Sequence, residues 1–243
     1  TLRRLRKHAL RIHSKAVRDA ADILTLSPSA KDVPEALTRR VLELRKEQGP
    51  QGREIGAIHA REPWRCLCYL MREKLTDQNT HSYQRAEDYL ADLKLMENSL
   101  AEIGAATTSK NVIHPLCRLV EVFGFHLATL DIRQNSPFHD QAASQMLTAV
   151  GVADGENYTD WSEQQRVDFL LEELKNERPW RPWKADSDTE IGKVMDCFKV
   201  MRRHAQKYGA ACFGLYVVSM TRNVSDLLLV HLLAREGHMA DWN

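Results

Sequence analysis

The stretch Phe125-His126-Leu127-Ala128-Thr129-Leu130-Asp131-Ile132-Arg133-Gln134 decides how the rest of the chain is read. It follows Gly124, is short, apolar and partly β-branched, and interrupts a helical period that fills most of the preceding residues. It therefore reads as a strand over about 125–132. Alternate residues of a strand share a face, so Thr129, Asp131 and Arg133 point one way and Ala128, Leu130 and Ile132 the other. A polar face that ends in arginine, opposite a greasy one, suits a barrel strand with helices outside and chemistry inside. Arg133 then lies at the C-terminal end, where barrel enzymes place their active-site groups. Phe213-Gly-Leu-Tyr-Val-Val-Ser219, after Gly209, reads as a second strand of the same kind over 213–219.

Working outward, apolar residues at spacings of three and four predict helices over about 2–24, 34–47, 63–76 and 81–103. Another starts at Ser109 or Asn111 and runs to about Val122. Residues 51–61, with glycines and charges, read as a loop. Between the two strands lie helices at roughly 137–150, 163–176 and 188–207. The middle one opens with Ser162-Glu-Gln-Gln165, a capping-box pattern, and Val224 to Arg235 forms the last. The fold class is mainly α: a helix-rich fragment of an α/β (TIM-type) barrel, its two strands each followed by a helix. Residues 1–123 form a mostly helical region and 124–243 a partial β/α barrel region with inserted helices. Two strands cannot close a barrel, and the chain starts at Thr1 without a methionine, so it reads as a piece of something longer.

Composition narrows the function classes. The chain has 243 residues, 43% hydrophobic and 28% charged, as in an ordinary soluble globular protein. Lys plus Arg number 34 against 33 Asp plus Glu, which gives no electrostatic reason to propose a nucleic acid or an anionic membrane as partner. No apolar run approaches the ~20 residues of a membrane helix. Cys66, Cys68, Cys117, Cys197 and Cys212 form neither an even disulfide set nor a zinc spacing, and read as reduced thiols of a cytoplasmic protein.

Arg133 is the candidate for chemistry, because its planar fork of donors can match a phosphate or carboxylate bidentately, although spacing alone favours a structural ion pair. The structural alternative is an ion pair with Asp131 or a neighbouring carboxylate that ties down the strand end. The histidines form no metal spacing, and His126 reads as a satisfied histidine on the apolar face. Tyr158, Trp161, Trp180 and Trp183 read as packing. The basic start, Arg3 to Lys15, reads as the solvated face of an amphipathic helix.

Phe123-Gly124-Phe125-His126-Leu127-Ala128-Thr129-Leu130-Asp131-Ile132-Arg133-Gln134-Asn135-Ser136 closely resembles a segment of the phosphoenolpyruvate carboxylase family written F-G-x-x-L-x-x-L-D-I-R-Q-E-S. Arg61-Glu62-Pro63-Trp64-Arg65 looks like the family's R-E-P-Y-R. Trp161-Ser162-Glu163, then Phe169-Leu-Leu-Glu-Glu-Leu174 and Arg178-Pro179, is similar to the family's segment after that strand. Tyr216-Val217-Val218-Ser219-Met220, with Ser225-Asp226-Leu227-Leu228 and His231-Leu232-Leu233, is similar to I-S-M-x-x-x-x-S-D-V-L-A-V-x-L-L. These matches keep their order over about 61–235, and the first sixty residues match loosely.

The resemblance implies an enzyme that forms oxaloacetate and phosphate from phosphoenolpyruvate and bicarbonate, a lyase of carbon fixation that feeds the tricarboxylic acid cycle. It works with Mg²⁺ or Mn²⁺, in the cytoplasm, as a homotetramer. Bicarbonate attacks the phosphate, giving carboxyphosphate and the enolate of pyruvate, and the enolate then attacks carbon dioxide released from carboxyphosphate. The same resemblance assigns Arg133 to binding phosphoenolpyruvate, with Gln134 and Asp131 in support. It puts the catalytic histidine upstream of Thr1, and the metal ligands, catalytic lysine and glycine-rich arginine loop downstream of Asn243, so the chain alone is expected to be inactive. Two places depart from the pattern. Asn135 replaces a glutamate, which removes any charge pairing with Arg133 or Arg65 through that position, and Thr221-Arg222-Asn223-Val224 replaces a turn of small residues. The rival readings are a non-catalytic helical scaffold that retains the framework, and a barrel enzyme acting on another small phosphorylated acid.

Overall fold

A computed structural model describes residues 1–29, 32–78, 80–176, 180 and 187–239. It is mainly α, with a two-stranded parallel sheet, and divides into two compact units, Thr1–Ala128 and Thr129–Asn243. The predicted residues Arg178, Pro179 and Trp183 lie outside the described residues. Among the described residues no helix is long and apolar enough to cross a membrane.

The first unit is helical: α1 (Leu2–Ile23), α2 (Glu35–Glu47), α3 (Gly49–Ile58), α4 (Pro63–Lys74), α5 (Ala86–Glu102), the short α6 (Ala106–Thr108) and α7 (His114–Phe123). Its core gathers Leu10, Val17, Leu24, Leu44, Trp64, Leu67, Tyr89, Leu93 and Met96. The buried stripe of α1 is Arg6, Ala9, Leu10, His13, Val17, Ala20 and Ala21, so the basic start is not wholly a solvated face. Arg6 donates to Asp77 Oδ1 at 2.9 Å and to the Tyr83 carbonyl at 2.7 Å, with its guanidinium over the Phe125 ring. A carboxylate and a carbonyl replace the water that a buried guanidinium gives up. Arg40 does the same in a bidentate pair with the buried Asp92, at 2.7 and 3.0 Å.

Residues 49–58 are helix α3, where a loop was expected over 51–61. Glycine is a poor helix former in isolation. Here Gly52 and Gly56 are the buried face of α3 and let it lie directly on Arg45 of α2. A Cβ at Gly52 would sit 2.5 Å from the Arg45 carbonyl oxygen. Helix α5 begins at Ala86 rather than 81, so Tyr83 precedes it, and donates its hydroxyl hydrogen to Asp92 at 2.5 Å. The helix expected from Ser109 is a π-helical turn, Ser109–Ile113, leading into α7, whose first turn holds Pro115. A proline there has no N–H to continue the ladder.

Residues 125–129 are not strand. The Phe125 ring is buried in the first unit's core beside His13 and Tyr89, at 5.5 and 6.1 Å between ring centroids. Gly124 turns the chain with φ +47°, and Leu127 with φ +65°. His13 Nε2 donates to the Gly124 carbonyl at 2.7 Å. The aromatic content that suggested a strand serves instead to anchor the turn. Strand β1 runs Leu130–Asn135, beginning five residues later than expected and ending three residues later.

The second unit holds β1, α8 (Ser136–Val150), a 3-10 turn (Gly155–Asp160), α9 (Glu163–Lys175), α10 (Glu190–Tyr208), β2 (Phe213–Ser219) and α11 (Val224–Glu236). The expected capping box at Ser162 and Gln165 is present. Tyr158 packs on Trp161, and Trp161 and Trp180 pack on Phe169, the packing role read from the sequence. Strands β1 and β2 pair in parallel, Ile132 opposite Tyr216 and Arg133 opposite Val217. Tyr216 stacks on Phe198 of α10 and hydrogen-bonds His139 of α8 at 3.0 Å, which defines the helix-covered face. Core residues Met146, Leu170, Val194, Phe198 and Leu232 lie in the helices of this unit. All five cysteines are free thiols, and burial raises the pKa of each, that of Cys66 to about 11.

At the C-terminal ends of the strands the chain enters a helix, directly from β1 into α8 and through residues 220–223 from β2 into α11. Arg222 Nη2 lies 2.6 Å from Asp140 Oδ2, 2.8 Å from Asp226 Oδ1 and 3.0 Å from Ser136 Oγ. Arg166 Nη1 approaches the same Asp140 oxygen at 3.4 Å and Nη2 donates to the Thr159 carbonyl at 2.6 Å. Glu163 accepts from the Ser225 N–H at 3.0 Å and from its hydroxyl at 2.5 Å. This cluster ties the first turn of α8 to that of α11 and to α9.

Burial alone would raise the Asp226 carboxyl. The hydrogen bonds from Arg222, Ser136 and the N–H groups of Arg222 and Asn223 outweigh it and hold the group well below the usual carboxylate range. The resulting stability is complete above the unfolded value near ~4 and is lost as pH falls through the depressed folded value. Asp226→Asn is expected to destabilise the protein by about 2–4 kcal/mol at pH 7, with the gap to wild type closing only in strong acid; equal denaturation midpoints at pH 7 would contradict the assignment. In the first unit, Gly52→Ala forces a methyl against backbone and is expected to lower stability by about 1–3 kcal/mol in the same measurement; no loss would mean that the α2–α3 approach is not tight.

Candidate functional site

Strand β1 alternates half-buried and exposed residues, with Asp131, Arg133 and Asn135 on the exposed side. The side-chain alternation expected for Asp131 and Arg133 therefore holds, although Thr129 precedes the strand. On β2 the same open face carries Leu215, which is 72% exposed. The sheet thus has one face against α8 and α10 and a second, open face on which Asp131, Arg133 and Leu215 are exposed.

Asp131 is fixed in place by the ladder. The register slips between Leu130 and Ile132, where two steps on β1 match three on β2. Asp131 Oδ1 fills that irregularity by accepting from the Leu215 N–H at 3.0 Å. Gly214 leaves room for it, since a Cβ there would lie 2.3 Å from the same oxygen and displace the carboxylate. The other Asp131 oxygen is 3.9 Å from Arg133 Nη2, beyond hydrogen-bond distance, and the Arg133 side chain is 78% exposed. Its fork of donors is therefore largely available to an oxyanion. The structural reading of Arg133, an ion pair closing the strand end, survives as this long contact and no more. Gln134 is half-buried, and its carbonyl accepts from the Ser219 hydroxyl at 3.3 Å, holding the ends of the two strands together.

Asn135, where the family pattern has glutamate, caps α8: its Oδ1 accepts from the Phe138 N–H at 2.8 Å. Asparagine is a favoured residue at that position. Arg65, the other partner considered for it, is held by Glu62 at 3.3 Å. Arg222, in the departing turn, is the hub of the Asp140–Asp226 cluster. Sequence reasoning did not single out Asp140, Arg166 or Glu163 as members of that cluster. Asp226 did fall within a quoted motif, four residues from Arg222, but Ser136 and Asp140 stand 86 and 82 residues from Arg222 and leave no local signal.

The chemistry available at this end of the sheet is anion binding. Among the described residues no group of three or more His, Cys, Asp or Glu is disposed to hold a metal ion. The buried carboxylates Asp140 and Asp226 already face Arg222 and Arg166. The residues present do not fit a divalent ion. His139, the histidine of this region, donates or accepts in its bond with Tyr216, and burial lowers its pKa.

The family model for phosphoenolpyruvate carboxylase matches residues 1–243, extending over the first sixty residues where the motifs were faint. The phosphoenolpyruvate carboxylase of Thermosynechococcus vestitus is 34% identical over 72% of this chain and 17% of its own length. That of Trichormus variabilis is 31% identical over 97% of this chain and 24% of its own length. That of Paraburkholderia xenovorans is 38% identical over 63% of this chain and 15% of its own length. The chain thus spans about a quarter or less of the curated relatives it matches. With a family model covering its whole length and ordered matches around the Arg133 strand, the chain belongs to the phosphoenolpyruvate carboxylase family.

Proposed function

We propose that this chain supplies part of the substrate site of an enzyme that joins bicarbonate to phosphoenolpyruvate, releasing oxaloacetate and phosphate. The observation that carries the reading is the exposed guanidinium of Arg133 at the C-terminal end of a parallel strand, with no carboxylate within hydrogen-bond distance among the described residues. Parallel α/β architectures bind ligands at that edge. Arg133 binds phosphoenolpyruvate, neutralising part of its charge and holding it in register. Asp131 has a supporting role, since it is locked against Leu215 and its second oxygen faces the Arg133 guanidinium. Gln134 supports the same strand end through the Ser219 contact.

The open sheet face and the singly placed strands, each followed by a helix, support a reading of this unit as a sector of a TIM-type barrel completed by other parts of a longer protein. In that assembly Mg²⁺ or Mn²⁺ would stabilise the charge that develops on oxygen, with ligands outside the described residues. The whole protein is proposed to be a cytoplasmic homotetramer, and the 243-residue chain alone to lack activity.

The test is Arg133→Ala in the full-length protein, following bicarbonate-dependent oxaloacetate formation. The expected result is a higher KM, a lower kcat and a fall in kcat/KM of about a hundredfold, ~2.7 kcal/mol of transition-state stabilisation. Arg133→Lys should recover a minor part, because an ammonium keeps charge without the planar fork. Unchanged kinetics in Arg133→Ala would remove Arg133 from the site. No activity in an intact, folded wild type would favour a scaffold that keeps the framework without catalysis.

A further inference from the structure

In the first unit, a cavity of about 510 Å³ opens among α2, α3, the turn after α3 and the start of α4. That volume falls within the range of small-molecule sites. Its walls combine apolar surface, from Val41, Leu42 and Pro63, with three nitrogen-bearing side chains, Arg45, His59 and Arg61, and no carboxylate lines it among the described residues.

Arg45 and Arg61 differ from the cations that tie segments of this unit together. Arg6, Arg40 and Lys74 each meet a carboxylate at 2.9 Å or less. Arg45 and Arg61 make no ion pair among the described residues. Arg45 Nε is buried with no hydrogen-bond partner, as is His59 Nδ1. A buried donor without a partner is uncommon and carries a desolvation penalty. Glu62 lies 3.6 Å from His59 Nδ1 and is engaged by Arg65 at 3.3 Å.

The geometry holds these groups in place. The Arg45 side chain runs over Gly56, where a Cβ would fall 2.0 Å from its Nε, so the bare glycine face of α3 seats the guanidinium. His59 is stacked flat on Tyr69, with ring centroids 4.6 Å apart and planes 2° apart. Gly56 and Tyr69 thus support Arg45 and His59 in the wall of the cavity, which Arg61 also lines.

We propose that this cavity binds a small organic anion, a carboxylate or phosphate monoester on an apolar body, with Arg45 and Arg61 as its counter-charges and His59 as a further polar contact. The inference is independent of the carboxylation reading, because it concerns the other compact unit and needs no catalysis.

Isothermal titration calorimetry of the full-length protein with benzoate, phenyl phosphate and neutral benzyl alcohol tests it, with each titration repeated in an Arg133→Ala background to remove any anion bound at the strand end. Heat of binding is expected for at least one of the two anions in both backgrounds and not for benzyl alcohol. The anion that binds identifies the carboxylate or the phosphate class. Affinity should fall by about tenfold or more in Arg45→Gln. Arg61→Gln, at an exposed position, should weaken the same anion and serves as the test if Arg45→Gln fails to fold. No binding of either anion, unchanged affinity in the folded variants, or equal binding of benzyl alcohol would overturn the proposal.

Discussion

Residues 130–135 pair in parallel with residues 213–219, and that pairing positions everything offered to a ligand in the second unit. A parallel pair cannot be closed by a short turn and needs a long crossover, supplied here by α8, α9 and α10. Two consequences arise from direction alone. Both strands end at the same edge, and both helices that come next, α8 and α11, begin there with their N–H groups and positive dipole ends. The Asp131 carboxylate sits inside the ladder as a substitute hydrogen-bond acceptor, and so fixes the position of the residue two places on, Arg133.

The same edge sets an electrostatic constraint. Buried acids at helix starts are favourable if they cap N–H groups, and unfavourable if left without a counter-charge. Asp226 does the capping, taking the N–H groups of Arg222 and Asn223 at 2.7 and 3.2 Å. Arg222 returns the charge to Asp226 and Asp140 together, and Arg166, held over the Tyr158 ring, supplies a second cation. Arginine suits this turn because one planar group reaches Ser136, Asp140 and Asp226 at once, which a point-like ammonium does less well. The turn that departs from the family pattern therefore has its own internal logic of charge.

Local rules made much of this legible. Strand 213–219, the helices on either side of it and the Ser162 capping box are set by neighbours in sequence, and periodicity with capping chemistry finds them. The errors have a common origin in distant partners. Phe125 reads as strand until His13, more than a hundred residues earlier, is seen to hold the Gly124 carbonyl. Gly52 and Gly56 read as loop until Arg45 is found lying on them. Arg6 reads as solvent-facing until Asp77 and Tyr83 are found beside it. At the candidate site, Arg133 was legible through its motif and its place on the strand, whereas the Arg222 cluster joins residues on three helices and one turn and has no sequence spacing of its own.

The arginines of this chain separate by their partners more sharply than by their burial. Arg6, Arg40, Arg166 and Arg222 each have a carboxylate oxygen within 3.4 Å, and each joins segments distant in sequence. Removing such a carboxylate leaves a desolvated charge behind, so these residues are committed to the fold. Arg133 differs in kind, because its nearest acid is already bound to backbone and stands too far away to take its hydrogen bonds. Arg45 makes no ion pair among the described residues, and its buried Nε, like those of Arg65 and Arg166, has no hydrogen-bond partner there. A guanidinium with free donors on a rigid support loses less conformational freedom on binding an anion than one that must first leave a carboxylate. By that criterion Arg133 and Arg45 are better fitted to recognise a ligand than the four arginines that the fold holds against carboxylates.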